Sequence, residues 1–150
     1  MPQSLSKVYL HVIFSTKNRF PFIDETCASE LFKYLAGVCN NQGCPVLQVG
    51  GHRDHVHIFC QLARTLSQSD LVKELKINSS KWMKARGGVF EKFYWQDGYG
   101  IFSINPTQTA AVVEYIKNQA EHHKTRSFQD EFRAFLQKYG VEYDERYVWD

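Results

Sequence analysis

The chain has 150 residues, of which 43% are hydrophobic, a length and composition typical of one compact domain with its own core. We therefore expect a single domain over residues 1–150. No apolar stretch approaches the roughly 20 residues of a membrane-spanning helix, so we expect no membrane partner. The four cysteines lack Cys-x-x-Cys spacing, and the first residues do not resemble a secretory signal, which favours a cytoplasmic location.

The net charge of +2 is small, but the charges are unevenly distributed. Residues 1–100 carry 12 basic and 8 acidic residues, whereas residues 101–150 carry 6 and 8. The densest positive cluster lies between Lys73 and Arg86, with five basic residues and one acidic residue among fourteen. A solvated helix face would explain such a cluster. A phosphate-contacting surface would also explain it, because clustered Lys and Arg gain affinity by releasing condensed counterions.

Apolar periodicity divides the chain into strands and helices, separated by breaks rich in glycine and proline. In chain order the pattern predicts a strand over Lys7–Ser15, a helix from Asp24 to about Asn41, strands over Pro45–Val49 and His55–Leu62 joined by the turn Gly50–Asp54, a helix from Ser67 or Ser69 to about Lys84, a strand over Gly100–Ile104, a helix from Pro106 to about His123, and a last helix with an apolar stripe at Phe128, Phe132, Phe135, Leu136 and Tyr139. The tail after Gly140 is expected to pack. This order predicts an α+β fold, a ferredoxin-like or RRM-like antiparallel sheet with helices packed on one face and further C-terminal helices.

Two histidines flank one hydrophobic residue in the run His55-Val56-His57. Alternate side chains of a strand share a face, so both imidazoles would project together as candidate metal ligands. Ordinary surface or core histidines would give the same short pattern. Asp54, beside the pair, is a candidate to orient one imidazole, whereas His11 on the first strand is expected to be a packed residue.

Tyr115 and Gln119 lie four residues apart on the helix predicted after Pro106, so a phenol and an amide oxygen would share one face. Tyr115 lies off the centre of the apolar stripe of this helix. A partly exposed structural tyrosine would show the same pattern. Periodicity alone therefore assigns no role to Tyr115.

Five blocks of the sequence carry a family resemblance. They are His11-Val12-Ile13-Phe14-Ser15-Thr16-Lys17-Asn18-Arg19, Asp54-His55-Val56-His57, Trp95-Gln96-Asp97-Gly98-Tyr99-Gly100-Ile101-Phe102-Ser103, Tyr115-Ile116-Lys117-Asn118-Gln119 and Tyr143-Asp144-Glu145-Arg146-Tyr147. Together they extend over nearly the whole chain. In this order they resemble the single-tyrosine HUH transposases of the IS200 type, in which U is a hydrophobic residue.

The resemblance implies that His55 and His57 bind a divalent cation, Mg²⁺ or Mn²⁺, and that Gln119 is the third protein ligand. These three ligands are neutral and would leave the charge of the cation undiminished. The resemblance also implies that Tyr115, on the C-terminal helices, is the nucleophile of a DNA transposase. Such an enzyme cleaves and rejoins single-stranded DNA at insertion-sequence ends through a 5′-phosphotyrosine intermediate. His122 and His123 are candidates to accept the tyrosine proton.

The partners implied by the resemblance are single-stranded DNA hairpins at the element ends and a second copy of the chain, in a homodimer with shared active sites. The location would be a prokaryotic cytoplasm or nucleoid. The basic residues predicted to contact phosphates are Lys17, Arg19, Arg53, Lys73, Lys76, Lys81, Lys84 and Arg86.

Three other functions are compatible with the same sequence features. A noncatalytic reader of single-stranded hairpins could have the same fold. A domesticated relative would cut DNA for its host, and a metal-dependent hydrolase would use water in place of the tyrosine.

Overall fold

The computed structural model describes residues 2–150 and contains one antiparallel sheet of four strands in the order β2-β3-β1-β4. The strands are β1 (Tyr9–Ser15), β2 (Val46–His52), β3 (His55–Gln61) and β4 (Gly100–Ile104). The helices are α1 (Ala28–Asn41), α2 (Gln68–Lys84), α3 (Thr109–Lys117), α4 (Gln119–His122) and α5 (Phe128–Lys138). The predicted α+β class and antiparallel sheet are confirmed. Within residues 2–150, no helix has both the length and the apolar character needed to cross a membrane.

Two boundaries differ from the sequence prediction because local hydrogen bonds shift them. The first helix begins at Ala28 and not at Asp24, since the Asp24 carboxylate accepts hydrogen bonds from the backbone amides of Thr26 (2.9 Å) and Cys27 (3.2 Å) and holds a turn. Strand β2 continues through the two glycines that the sequence predicted in a turn. The hairpin turn itself is the shorter segment 53–54.

The helix predicted from Pro106 to about His123 consists of three segments. A short 3-10 turn precedes α3, capped by Asn105, whose Oδ1 accepts from the Thr107 amide (3.0 Å). A break at Asn118 then separates α3 from α4. Asparagine is a poor helix former, and here φ is −96° and ψ is 19°. The Asn118 amide still bonds the Glu114 carbonyl (3.1 Å), so the break is small.

Alternate residues of the central strands point to opposite faces of the sheet. On one face, β1 and β3 bury apolar side chains against α1 and α2. This larger cluster includes Leu10, Val12, Phe14, Leu31, Leu35, Val56, Ile58, Leu71 and Leu75. This face is therefore an ordinary apolar core. The helix α2 that covers it begins after Ser67, one of the two predicted caps, whose hydroxyl oxygen accepts a hydrogen bond from the Asp70 amide (3.1 Å).

The opposite face of the sheet packs against the C-terminal helices. Its apolar cluster is smaller and consists of Ile13, Phe102, Phe128, Phe132 and Leu136. The strand positions beside this cluster are polar but buried, and they include His11, Ser15, His55 and His57. Val148 and Trp149 pack against the same cluster, so the end of the tail packs as predicted.

Two glycines allow the C-terminal helices to approach this face closely. A Cβ atom at Gly50 in β2 would lie 2.8 Å from Cγ2 of Ile116 in α3. A Cβ atom at Gly100 in β4 would lie 2.6 Å from the ring of Phe132 in α5. A larger residue at position 50 would collide with the backbone of Ile116 and push α3 away from the sheet, and one at position 100 would displace the Phe132 ring.

Candidate active site

His55 and His57 share the face of β3 that packs against the C-terminal helices, as their spacing predicted. Both side chains are fully buried, and their ring centroids are 5.1 Å apart. In the sheet, His55 pairs with Ser15 and His57 pairs with Ile13 on the neighbouring strand β1. The pair is therefore enclosed between the sheet and the helices above it.

Each of these imidazoles is held through its Nδ1 atom. His55 Nδ1 donates to Asp54 Oδ1 at 2.8 Å, which agrees with the orienting role predicted for Asp54. His57 Nδ1 lies 2.7 Å from Nε2 of His11, which is buried and packed as predicted. Burial and the neighbouring His57 hold the pKa of His11 well below its ordinary value, so a neutral His11 can donate this hydrogen bond from Nε2 and leave the His57 proton on its own Nε2. The Nε2 atoms of both paired histidines are thereby directed toward the helices.

A buried glutamate, Glu131 of α5, lies where these Nε2 atoms converge. Its Oε1 atom is 3.0 Å from His57 Nε2 and 3.4 Å from His55 Nε2. Its Oε2 atom accepts hydrogen bonds from the Gln119 amide (3.1 Å) and from the Tyr115 hydroxyl. Ligand atoms of His55, His57 and Glu131 all lie within 4.8 Å of one another. An anionic oxygen thus lies among groups that the sequence led us to expect to be neutral.

The sequence prediction missed Glu131, although a signal for it was present. The apolar residues of α5 recur at helical spacings of three and four residues, and Glu131 fills the position three residues after Phe128 and four before Phe135. An acidic residue in the middle of a buried stripe is uncommon unless it has partners. That position could have been singled out as a buried polar group.

Gln119 and His123 complete the cluster. Oε1 of Gln119 is 2.9 Å from His55 Nε2 and 3.0 Å from His123 Nε2. His123 Nε2 is also 3.4 Å from Glu131 Oε1. The structure thus brings Gln119 to the histidine pair, together with one of the two histidines considered for proton transfer. The other, His122, packs its ring against Tyr115 with centroids 4.7 Å apart.

The hydrogen atoms available in this cluster are too few for its acceptors. His55 Nδ1 donates to Asp54, and His123 Nδ1 donates to the Arg126 carbonyl (2.6 Å). In neutral rings both Nε2 atoms then carry lone pairs, and both face the Gln119 carbonyl oxygen. Facing acceptors are stable only with a proton or a cation between them. In the metal-free protein a proton on His55 supplies this link, and a bound metal ion would satisfy the same lone pairs in its place.

The charges of the cluster follow from the same contacts. Burial lowers the pKa of His55, but its hydrogen bonds to Asp54 and Glu131 outweigh burial and raise the pKa to about 9. Burial raises the pKa of Glu131, but hydrogen bonds from His123, His55 and His57 hold this pKa well below its usual range. Burial and the nearby Glu131 charge raise the pKa of Tyr115. The carboxylate is therefore ionised while the phenol keeps its proton.

The predicted phosphate-contacting residues fall into two groups. Lys17 and Arg53 are exposed beside the end of the sheet that carries His55, and Lys73, Lys81, Lys84 and Arg86 lie on or just after α2, across the sheet from the histidines. Lys84 Nζ lies 4.0 Å from the centroid of the Tyr94 ring. This second group, with Tyr94, forms a basic and aromatic surface.

The remaining two basic residues are engaged inside the chain. Lys76 Nζ donates to the carbonyls of Gln96 (2.7 Å), Asp97 (3.0 Å) and Gly98 (2.8 Å). Arg19 Nη1 donates to the Trp149 carbonyl at 2.6 Å. A phosphate at Lys76 would have to displace one of these carbonyl oxygens. The contacts favour a structural role for both side chains, in holding the loop before β4 and the C-terminal tail.

A histidine pair on an antiparallel sheet, facing a tyrosine on a C-terminal helix, is the arrangement expected of an HUH-type protein. Residues 4–119 match the family described as "Transposase IS200 like", and the chain belongs to this family. The helix that carries Glu131 lies beyond the matched residues. No curated protein matches the chain.

Two solved structures share the fold. The first is a candidate transposase from Deinococcus radiodurans, with 22% identity and a TM-score of 0.62, covering 79% of this chain and 98% of that one. The second is a REP-associated tyrosine transposase bound to a REP hairpin, with 18% identity and a TM-score of 0.60, covering 82% of this chain and 73% of that one.

Proposed function

We propose that this chain is a transposase that cleaves and rejoins single-stranded DNA through a 5′-phosphotyrosine intermediate on Tyr115. A divalent cation would be held by His55, His57 and Glu131, with Gln119 beside them. The observation that carries the proposal is the meeting of all these groups at one carboxylate. Glu131 bonds the His57 imidazole through one oxygen and the Tyr115 hydroxyl and Gln119 amide through the other.

The proposed cation site contains two imidazole nitrogens and one carboxylate oxygen within 4.8 Å of one another, and the Gln119 carbonyl oxygen lies 2.9 Å from His55 Nε2. This set suits Mn²⁺ and other first-row ions as well as Mg²⁺, because imidazole tolerates softer ions than oxygen ligands do. When bound, the cation would neutralise the charge that develops on the oxygens of the scissile phosphate. The anionic Glu131 would bind the cation more tightly than a neutral amide would. It would also neutralise part of the cation's charge and so weaken the attraction of the cation for the phosphate.

The tyrosine supplies the covalent step. The Tyr115 oxygen would lose its proton and form a bond to phosphorus, and the bond from phosphorus to the 3′ oxygen would break. The 3′ oxygen would take up a proton, which leaves a free 3′-hydroxyl on the other fragment. The number of phosphoester bonds is unchanged, so another 3′-hydroxyl can reverse the step without ATP. Glu131 holds the Tyr115 hydroxyl in place until a phosphate arrives.

One chain supplies both the tyrosine and the histidines in this arrangement. Tyr115 donates to Glu131, and Glu131 contacts His55 and His57 of the same chain. These contacts support a site used in cis. The homodimer with shared sites that the resemblance implied stays a prediction.

The proposed substrate is single-stranded DNA with a hairpin. A structurally similar protein, the REP-associated tyrosine transposase, is bound to a REP hairpin. In the present chain, the Thr16 amide bonds the Asp54 carbonyl, and Thr16 also forms a bridge with Trp95 next to Tyr94. The basic and aromatic surface on α2 therefore adjoins the end of the sheet that carries the histidines. DNA bound there could continue around this end to Tyr115.

The decisive experiment is a covalent adduct assay. Wild-type protein is incubated with labelled single-stranded DNA from the flanks of its own reading frame and Mn²⁺, then denatured and separated by electrophoresis. We expect an adduct that survives denaturation, and we expect Tyr115→Phe to reduce its yield at least a thousandfold, since Phe has no nucleophilic oxygen. Tyr34→Phe is the matched control and should retain the adduct, because Tyr34 lies on α1 and packs against the core of the opposite face.

Two results would contradict the proposal. Wild-type protein that folds and binds the DNA but forms no adduct would exclude the tyrosine mechanism. Cleavage that continues undiminished in Tyr115→Phe, with no adduct, would instead indicate attack by water.

A further inference from the structure

A cavity of about 620 Å³ lies between α3, α5 and the end of β4, immediately beside the tyrosine. We infer that it binds one unpaired nucleobase of the single-stranded DNA, next to the phosphate that Tyr115 attacks. The inference rests on the proposed function, because it identifies part of the substrate of that same site. A single nucleotide suits a cavity of a few hundred Å³.

Aromatic side chains form one wall of this cavity. Phe135 and Tyr139 both line it, and both rings are stacked on Phe102 behind them, at centroid distances of 5.5 and 4.7 Å. The stacking fixes the two rings within about 20° of the Phe102 plane. A base bound against them would extend a stack that already exists. Stacking on aromatic rings is a general way to hold bases of single strands.

The mouth of the cavity carries groups that a nucleotide needs beyond stacking. Asn105 and Gln108 are exposed there, and their amides offer both donors and acceptors for a base edge. Arg126 and Lys138 are exposed at the same rim and can pair with the phosphates on either side of the base. An apolar wall with a cationic rim is complementary to a nucleotide in both shape and charge.

The inner end of the cavity explains why a nucleotide would bind here. Tyr115 and Glu131 both line it, so a base in the cavity would lie beside the attacking hydroxyl. Holding this base would fix its own phosphate near the Tyr115 oxygen. The histidine pair lies on the other side of Glu131, so the base and the cation would not compete for space.

Photo-cross-linking tests this inference without any cleavage. A twelve-nucleotide thymidine strand with one central 5-iododeoxyuridine is bound to wild-type protein in EDTA, irradiated and mapped by mass spectrometry. Iodinated bases cross-link to aromatic side chains against which they stack, so we expect cross-links at Tyr139 or Phe135. Filling the cavity with Ala111→Trp should lower the yield there at least fivefold, because Ala111 lies in its wall. Ala110→Trp, one residue and about 100° around the same exposed helix, should change it less than twofold.

Cross-links found only outside the cavity at saturating DNA, for example at Tyr94, would overturn the inference. So would an Ala111→Trp yield equal to that of wild type. The adduct assay separates this result from a failure of the proposed function. Cross-links at Tyr139 without a phosphotyrosine adduct would support the base site and exclude the transposase chemistry. An adduct without cross-links in the cavity would support the transposase chemistry and exclude the base site.

Discussion

The two faces of the sheet are built from the same strands but in different ways. The face under α1 and α2 buries aliphatic and aromatic side chains such as Phe14, Ile58 and Leu75. The face under α3, α4 and α5 buries His11, His55 and His57, and Glu131 of α5 contacts the last two of these histidines. Each strand supplies both faces by alternation, so one residue in two serves stability and the next serves the site.

The two faces therefore differ in what they contribute: the first supplies most of the stability, and the second carries the candidate site. Apolar burial contributes about 25 cal/mol for each Å² removed from water, and the first face contains most of that area. Buried polar groups contribute little net stability and cost free energy when one partner is lost. We therefore expect changes on the first face to unfold the protein, and changes on the second to alter ligand binding.

Truncation of the apolar core should have the largest effect. Leu75→Ala should lower the free energy of unfolding by about 4 kcal/mol, because Leu75 is fully buried and its removal leaves a cavity. Urea denaturation followed by circular dichroism measures the loss. Ile77→Ala on the same helix is the control and should cost less than about 1 kcal/mol, since Ile77 is 42% exposed. Equal losses for both variants would contradict the assignment of the main core to this face.

The histidine face should make the stability of the metal-free protein depend on pH. The pKa of His55 is raised from 6.5 to about 9, so the stabilisation from its charged form is complete below pH 6.5. It is lost as pH rises from 6.5 to 9, by about 3 kcal/mol in total. Urea unfolding in EDTA at several pH values measures this slope. Asp54→Asn should flatten it, and an unchanged slope in that variant would contradict the contribution of Asp54.

Metal affinity should distinguish Glu131 from exposed acidic residues. Glu131→Gln keeps the size of the side chain but removes its charge, so we expect about a hundredfold weaker Mn²⁺ binding, or about 2.7 kcal/mol. Isothermal titration calorimetry at pH 7.5 measures the affinity. Glu121→Gln on the exposed side of α4 is the matched control. If both variants bind Mn²⁺ as tightly as wild type, Glu131 is not a ligand.

The sequence predicted the strands and their order along the chain well, because periodicity reports burial directly. The alternation around Val56 and Ile58 specifies which side of β3 is apolar, and the same alternation puts His55 and His57 together on the other. The five blocks of family resemblance then singled out Tyr115 and Gln119. These residues do lie at the histidine pair, although their helix breaks at Asn118.

Glu131 and the closeness of the C-terminal helices could not be predicted in the same way. Glu131 is separated from His57 by 74 positions in the sequence, and periodicity does not tell which buried groups meet across such a distance. The break at Asn118 depends on how α3 and α4 fit on the sheet. Lys76 was predicted to contact DNA because it lies in a basic cluster, whereas its three carbonyl partners are set by the fold of the loop before β4.

The absent side chain at Gly50 has a consequence for the tyrosine. Ile116 of α3 rests where a Cβ atom at position 50 would lie, and Tyr115 is its neighbour in the chain. The bare backbone of β2 therefore sets the height of the tyrosine above the sheet, and with it the reach of the phenol oxygen. A residue with no side-chain functional group is thus part of the geometry of the proposed active site. A search for active-site residues by chemical type alone would pass over it.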